Sequence, residues 1–365
     1  MRGAMMPAQL VGPSGILGLS GLLGVVAGGG WWVGSPGCLM TGDAKGEQMA
    51  EIGLFLSSEE HGPKDLVDQA KRGAEAGFSS VFISDHFHPW IDRQGESPFV
   101  WSVIGGIAAT TEMKVTTGVT CPLIRIHPAI VAQAAATSQL LLDGRFVLGV
   151  GTGEALNEHI LGDRWPPVAT RFEMLEEAVS LLREMWKGKR TTHHGRHYTV
   201  ENARLYSCPD EPPPIVVSAF GPRAVAMAAR IGDGLVTTQP DGDVIARYRK
   251  NGGSGPTIVA LKVCWDPDEA RARTLAHELW PTEGLPGQLS QELPMPVHFE
   301  QAAALVTPDM VAEKVACGPD PERHVQAITD YLDAGFDEVY INQIGPDHGG
   351  FLDFYRKEIE PRIDP

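Results

Sequence analysis

Short apolar runs rich in β-branched residues alternate with longer segments of helical period from Met49 to the end of the chain. The eight runs that predict β-strands cover residues 52–57, 80–85, 114–120, 146–152, 214–220, 234–238, 257–265 and 338–343. Helical periodicity between them is clearest over residues 63–77, 128–142, 171–186, 223–232 and 321–335. Eight such pairs predict an α/β protein, a (β/α)8 TIM barrel whose chemistry lies at the carboxyl ends of the strands.

Two connections in this pattern are too long for simple turns. Residues 156–170 follow the fourth predicted strand, and roughly forty residues, 266–307, follow the seventh. Because both leave the carboxyl end of a strand, we expect two insertions on the catalytic face, where long loops commonly form lids or substrate pockets.

The first 48 residues do not continue the alternation. Residues 10–33 carry no charged side chain, but their eight glycines and Pro13 oppose a stable transmembrane helix. We interpret residues 1–48 first as the product of a misassigned translation start, second as an export signal and third as a membrane anchor. Residues 49–365 then form the catalytic barrel domain.

Charge and cysteine usage narrow the partners and the compartment. Lys+Arg 30 against Asp+Glu 46 gives a net charge of −16, which disfavours nucleic acid and stable association with membranes. The five cysteines lie far apart and lack the spacing of metal ligands, which predicts no metal and a reducing, cytoplasmic location. Export is the alternative if residues 1–48 are a genuine signal.

Candidate chemistry first appears after the second predicted strand, in the sequence SDHFHPW of residues 84–90. Two imidazoles, a carboxylate and an indole at one strand end are typical of an acid/base site with a stacking surface. The alternative for a single histidine is a buried ring that binds a backbone carbonyl. We therefore favour His86 as the catalytic group and His88 as a support or rim residue.

Two further strand ends are rich in glycine. The sequence GVGTGEALNE of residues 149–158 lets a flat ring approach the backbone and places Glu154 at the rim, although a tight turn is the alternative. The sequence AFGPR of residues 219–223 places a helix N-terminus on the same face, which favours an anion such as phosphate. A plain β-to-α turn remains the alternative there.

A third group of histidines, His193, His194 and His197, is not assigned a function. Their H-H-x-x-H spacing differs from the helical i,i+4 pair of zinc hydrolases, so we predict a solvated loop without a metal.

The sequences SDHFHPW, GVGTGEALNE and SAFGP, with the GDG of residues 232–234, resemble the luciferase-like flavin/deazaflavin superfamily. Within it, the chain is most similar to the coenzyme F420-dependent glucose-6-phosphate dehydrogenases, from about residue 51 to the C-terminus. This resemblance implies a (β/α)8 barrel, a homodimer, and hydride transfer from a sugar carbon to the deazaflavin of F420.

The resemblance also assigns residues. Its catalytic positions fall on His86, Trp90, Glu154 and Glu59. Its cofactor-binding positions fall on Asp85, Gly118, Val119, Cys121, Thr152, Gly153 and Asn157 near the ring, and on Phe220, Gly221, Arg223 and Ala224 near the phosphate. The Gly118-Val119 bond matches a backbone bulge that is often a non-proline cis peptide. Oxidising an alcohol needs a base for the hydroxyl proton, and either His86 or Glu154 fits that role.

The substrate positions depart from the family. Where the glucose-6-phosphate enzymes hold the sugar phosphate with two lysines and an arginine, this chain has Asp241, Ser290 and Lys314. Thr238 and Lys262 complete the expected substrate set. A carboxylate in a phosphate site opposes binding, so we expect glucose-6-phosphate to be a poor substrate and a neutral or differently anchored alcohol to be preferred.

These observations predict an F420-dependent dehydrogenase acting on the CH-OH group of a small alcohol or sugar phosphate. An FMN-dependent luciferase-like monooxygenase is the alternative enzyme. A solute-binding lipoprotein, anchored through Cys38, is the alternative outside enzymes; it leaves the His86, Trp90 and Glu154 set without a role.

Overall fold

The computed structural model describes residues 50–363, in which eight parallel strands close into a barrel. The strands are β1 (Glu51–Leu56), β2 (Ser80–Ile83), β3 (Lys114–Thr117), β4 (Phe146–Val150), β5 (Ile215–Ser218), β6 (Gly234–Thr237), β7 (Thr257–Cys264) and β8 (Glu338–Gln343). They pair in chain order, and β8 returns to β1 with Glu338 opposite Glu51. The predicted (β/α)8 barrel is confirmed.

Helices surround the strands. The longer ones are α1 (Pro63–Glu75), α2 (Val100–Ala108), α3 (Pro128–Leu141), α4 (Val168–Met185), α5 (Pro222–Ile231), α6 (Gly242–Lys250), α7 (Glu269–Leu279), α8 (Pro321–Asp333) and α9 (His348–Phe354), which continues as Tyr355–Ile359 and Glu360–Ile363. All five predicted helices are present, and α4 begins three residues before its predicted start. In α1 the buried positions Leu66, Ala70 and Gly73 recur at the spacing of one helix face, which packs the helix on the barrel.

Side chains fill the barrel interior, as this fold requires. Phe82 of β2 and Tyr340 of β8 stack with ring centroids 5.3 Å apart, among Val216, Val236 and Ile258. A Cβ at Gly118 would lie 2.0 Å from Cε1 of Phe82. Glycine is therefore needed where the chain leaves β3 against this ring.

Four strands end two or three residues earlier than the apolar pattern predicts. β2 stops at Ile83, β3 at Thr117, β4 at Val150 and β5 at Ser218, and an isolated bridge between Thr120 and Val150 extends the pairing. The residues beyond these ends form the loops on the catalytic face, so the apolar pattern overestimated the strands at the candidate site.

The predicted solvated loop is wrong for His193 and His194, which lie in a strand, whereas His197 lies in the turn that follows it. Residues Thr191–His194 and Thr199–Ala203 form an antiparallel hairpin. Its turn is held by the Glu177 carboxylate of α4, which accepts hydrogen bonds from His193 Nε2 at 3.1 Å and the Tyr198 amide at 2.9 Å. Among residues 50–363, no cluster of three or more His, Cys, Asp or Glu side chains is suited to a metal.

The long connection after β7 is helical. It contains α7, the short helices Pro281–Gly284, Leu289–Glu292, Pro296–Ala302, Ala303–Leu305 and Pro308–Ala312, and the two-residue strand Ala316–Cys317, which pairs with β7. Phe299 of this connection packs edge-on against Trp90 at 5.3 Å and is fully buried with Ile91 and Leu156. The connection after β4 forms Ala155–Glu158 and His159–Leu161. Both connections leave the carboxyl ends of strands.

Among residues 50–363, no helix is both long enough and apolar enough to cross a bilayer. The four cysteines of that range, Cys121, Cys208, Cys264 and Cys317, are free thiols. Residues 1–48 and Cys38, with the interpretations placed on them, lie outside the described residues.

Candidate active site

The loops after β1 and β2 bring Glu59 and His86 together. Oε1 of Glu59 lies 3.5 Å from Nε2 of His86, and the two side chains are only 3% and 10% exposed. Ser57 and Ser84 donate hydrogen bonds to the other oxygen of Glu59, at 2.9 and 2.7 Å. The arrangement leaves Oε1 directed at the imidazole.

The pKa of Glu59 reflects this setting. Burial opposes ionisation of the carboxyl group, but the charge of His86 and the hydrogen bond from Ser84 outweigh burial and hold the pKa of Glu59 below its ordinary value. Glu59 is therefore an anion at neutral pH, placed to stabilise a positive imidazole.

The other ring nitrogen of His86 has a different partner. Nδ1 lies 3.2 Å from the carbonyl oxygen of His88, which can only accept a hydrogen bond, so Nδ1 carries the proton. In the neutral ring, the lone pair then resides on Nε2. The Trp90 ring lies beside the imidazole, with centroids 4.9 Å apart.

Asp85 does not present a free carboxylate. Oδ1 lies 2.8 Å from Nη2 of Arg125, and Oδ2 accepts a hydrogen bond from Thr120 at 2.7 Å, in a fully buried side chain. Both oxygens of Asp85 thus bind protein donors, which fixes the end of β2. The contact of Asp85 with the cofactor stays a prediction.

Arg125 also approaches a second buried carboxyl group, that of Glu158. The backbone amides of Ile124 and Arg125 donate to Oε2 of Glu158 at 3.0 and 2.9 Å. Burial raises the pKa of Glu158 to about 7, even though these amides and the guanidinium act in the opposite direction. Arg125 thus joins the loops after β2, β3 and β4.

Asn157 connects the two candidate catalytic loops. Its Oδ1 accepts hydrogen bonds from the amides of Phe87 and His88 at 2.9 and 3.2 Å, and its Nδ2 lies 3.5 Å from Oε2 of Glu154. The side chain is buried, and its contact with the cofactor stays a prediction. Asn157 holds Glu154 close to the strand end that carries His86.

A cavity of about 330 Å³ opens beside Glu154. Its lining includes the predicted cofactor residues Val119, Thr152, Gly153, Phe220, Gly221, Arg223 and Ala224, together with Glu154, Gly151, Val168, Phe172, Ser218, Ala219, Pro222, Gln288 and Gln291. The Gly118-Val119 peptide at its floor is cis, as expected. A Cβ at Gly151 would lie 2.8 Å from Val119, so glycine is needed where the chain leaves β4 against that side chain.

Two features of this cavity suit a flat, anionic ligand. The N-terminus of α5 opens into it, and a Cβ at Gly221 would meet no atom within 4 Å. Cys121 is buried next to the cavity, where burial and the charge of Glu154 raise the pKa of its thiol well above the ordinary value. The thiol is therefore neutral and adds no charge.

A second, larger cavity of about 790 Å³ lies at the ends of β6 and β7. The predicted substrate residues Thr238, Lys262 and Lys314 line it. Asp241 and Ser290 are not part of its lining: Asp241 accepts a hydrogen bond from the Asp243 amide as the N-cap of α6, and Ser290 is exposed in Leu289–Glu292. The structure therefore does not gather the predicted substrate set at one place.

Glu60 connects the second cavity to the catalytic loop. Its Oε1 accepts a hydrogen bond from Nε1 of Trp280 at 2.5 Å, and its Oε2 accepts one from the Gly345 amide at 2.8 Å. The Lys262 ammonium lies 4.2 Å from the centre of the Trp280 ring. Burial raises the pKa of Glu60 to about 7, although both hydrogen bonds oppose that shift.

The family profile of luciferase-like monooxygenases matches residues 48–338. The chain belongs to this family. An F420-dependent glucose-6-phosphate dehydrogenase of Microbacterium testaceum is 34% identical over 326 residues, covering 86% of this luciferase-like chain and 97% of the relative. The enzyme of the same name from Nakamurella multipartita is 35% identical over 326 residues, covering 86% and 96%.

A solved structure is also similar to this luciferase-like protein. An F420-dependent secondary alcohol dehydrogenase, in complex with an F420-acetone adduct, superposes with a TM-score of 0.80 at 31% identity. The superposition covers 87% of this chain and 100% of that chain. The family resemblance found in the sequence is confirmed.

Sequence reasoning missed Arg125, Glu60 and Trp280 in this luciferase-like protein. Arg125 is the lone charge in the apolar segment CPLIRIHPAIV, and a charge in that setting signals a buried partner. Glu60 and Trp280 are 220 residues apart, and no local pattern links them.

Proposed function

We propose that this protein transfers a hydride between an alcohol carbon and coenzyme F420, as an F420-dependent oxidoreductase acting on small-molecule alcohols. The observation that carries the proposal is the buried Glu59–His86 pair, joined through Asn157 to Glu154 and its glycine-lined cavity. The F420-dependent activities named for relatives of 31–35% identity support the same conclusion.

The smaller cavity fits the cofactor. The lining at Val119, Gly151 and Gly153 would receive the deazaflavin ring, and the amides at Gly221 and Ala224, at the start of α5, would bind its phosphate. Arg223 lines the same end and adds a positive charge. When bound, F420 supplies the hydride acceptor. The chain itself supplies proton transfer and orientation.

Of the two candidate bases, His86 and Glu154, we assign the role to His86. Its Nε2 lone pair can take the proton of a substrate hydroxyl, because Nδ1–H is engaged with the His88 carbonyl. Glu59 faces this same Nε2 at 3.5 Å, so its anion stabilises the imidazolium that forms through opposite charge. Trp90 packs beside the ring and limits the access of water.

Glu154 has a separate role in this proposal. It lines the cofactor cavity, and Asn157 orients its carboxyl group. It would hold and exchange a proton at the rim while His86 acts on the alcohol, so the two groups divide the acid/base work.

An equilibrium titration tests the cofactor assignment. Purified protein should bind F420 more tightly than FMN, with the deazaflavin fluorescence as the signal. Equal or tighter binding of FMN would favour an FMN-dependent monooxygenase, the alternative considered from the sequence.

The location and assembly belong to the proposal as well. We propose a cytoplasmic homodimer, supported by the exposed apolar side chains of Ile130, Leu140 and Leu141 on α3. Light scattering on the eluting protein should give twice the mass of the chain, and a monomer mass would exclude the dimer.

A further inference from the structure

The larger cavity contains three basic side chains, and each already has an acceptor within the chain. Lys262 lies 2.9 Å from Oε1 of Glu283, and Lys314 donates to the backbone carbonyl of Glu283 at 2.6 Å. Arg323 lies 2.9 Å from Oε1 of Glu269. The lining therefore offers less positive charge to a ligand than its residue types indicate.

Glu283 contacts both Lys262 and Lys314. Its carboxylate binds Lys262, and its carbonyl oxygen binds Lys314, so one residue stands between the two ammonium groups. The Lys262 side chain is only 19% exposed and has the Trp280 ring on another side. A bound anion would have to displace the Glu283 carboxylate, or lie beside it against like-charge repulsion.

The cavity also lies next to the proposed catalytic loop. Lys262 contacts Trp280, Trp280 donates to Glu60, and Glu60 directly follows Glu59 in the chain. The side chains of Trp280 and Glu60 thus connect the lining of this cavity to the loop that carries Glu59.

We propose that Glu283 is a specificity-determining residue: its carboxylate fills the anion position beside Lys262, its backbone carbonyl engages Lys314, and the cavity therefore accepts alcohols that carry no phosphate. This inference rests on the proposed function, because it names the substrate class of the same enzyme. It assigns the selection against phosphate to an acid supplied by the connection after β7.

The test removes the charge and keeps the shape, in Glu283→Gln. We expect the ratio of kcat/KM for glucose-6-phosphate to kcat/KM for 2-propanol to rise at least about tenfold, equivalent to about 1.4 kcal/mol. The control is Glu278→Gln, which removes the same charge from an exposed pair with Arg93. The control should leave both values at wild-type levels.

A binding measurement gives a second readout that does not depend on turnover. Calorimetric titration of the cofactor-free protein with inorganic phosphate should show tighter binding to Glu283→Gln than to wild type. Adding Lys262→Met should abolish that gain, because the lysine freed by Glu283→Gln is then missing. If the gain persists in the double variant, the phosphate is held elsewhere and the inference is wrong.

The remaining outcomes separate the inference from the function on which it rests. If Glu283→Gln gains neither phosphate binding nor glucose-6-phosphate oxidation relative to Glu278→Gln, Glu283 does not determine specificity, even when 2-propanol reduces F420 normally. Efficient oxidation of glucose-6-phosphate by the wild type would also overturn it. If F420 is not bound at all, the proposed function fails, and phosphate binding still reports on Glu283.

Discussion

The carboxylate of Glu59 faces Nε2 of His86 across 3.5 Å, at a point where both side chains are nearly withdrawn from water. Two serine hydroxyls hold Glu59, and the His88 carbonyl fixes the proton of His86 on Nδ1. The pair is thus oriented before any substrate arrives. Such preorganised charge is the usual source of large effects in acid/base catalysis.

Replacing Glu59 by glutamine should lower kcat about 10²-fold, because the imidazolium formed at His86 loses its facing anion. Steady-state kinetics on an alcohol substrate measures this, and the dissociation constant of F420 should stay within an order of magnitude. Glu278→Gln, a surface control, should leave kcat unchanged. A Glu59→Gln enzyme with wild-type kcat would remove Glu59 from the catalytic set.

Glu154→Gln should lower the rate of hydride transfer by about 10²-fold or more in a single-turnover assay, as should His86→Ala and Trp90→Ala. Glu154 lines the cofactor cavity and is oriented by Asn157, so the change removes an exchangeable proton without altering shape. Unchanged single-turnover transfer in Glu154→Gln would show that its carboxyl group takes no part.

A large side chain at Gly221 should weaken the binding of F420 without destabilising the fold. Gly221 has φ −88°, and its Cβ would meet no atom within 4 Å, so Gly221→Leu should keep the wild-type melting temperature. F420 affinity should fall at least about tenfold, or about 1.4 kcal/mol, since the side chain enters the cavity at the start of α5.

The matched control for that variant is Gly105→Leu, at a helical glycine that also has open space at its Cβ but is remote from the cavity lining. It should bind F420 as the wild type does. Equal affinity of Gly221→Leu and Gly105→Leu would show that F420 does not occupy this cavity.

Glu60 should make folding stability depend on pH. Its pKa is about 7 in the folded chain and near 4.5 when exposed, so the folded state binds more protons between these values. Its contribution to the free energy of unfolding is therefore fully present below about pH 4.5 and is lost as the pH rises through about 7. The free energy of unfolding of Glu60→Gln minus that of the wild type should therefore increase between these two pH values and stay constant above the higher one.

Thermal unfolding at a series of pH values measures this difference. The wild type must be subtracted because other buried groups also titrate in this range. Burial lowers the pKa values of His61 and His348, to about 4 and about 3, so these two histidines make the folded state more stable as the pH rises to 6.5. A difference that is flat from pH 4.5 to 7 would mean that Glu60 titrates as an exposed carboxyl group does.

The periodicity of the chain was sufficient to predict the barrel, because strand and helix patterns are local and the barrel rule places strand ends on one face. For the same reason the sequence could place His86 and Glu154 after strand ends on that face. Arg125, Glu60 and Trp280 could not be derived from pattern alone, because they act through contacts between distant loops.

The hairpin at residues 191–203 shows a second limit. Its strands, TTHH and TVENA, lack the apolar alternation that predicts a strand, and the Glu177 carboxylate of α4 stabilises the turn from outside the segment. Likewise, Asp241 was expected at a substrate position, but the start of α6 takes its side chain as an N-cap. In both cases a neighbouring helix decides the structure.

Reduction of F420 by a neutral secondary alcohol, followed through the absorbance of the deazaflavin after mixing with purified protein, tests the central claim most directly. The account predicts loss of the oxidised F420 band with 2-propanol, a rate at least about 10²-fold lower in His86→Ala, and no reduction of FMN under the same conditions. Reduction of FMN with F420 left unchanged would contradict it.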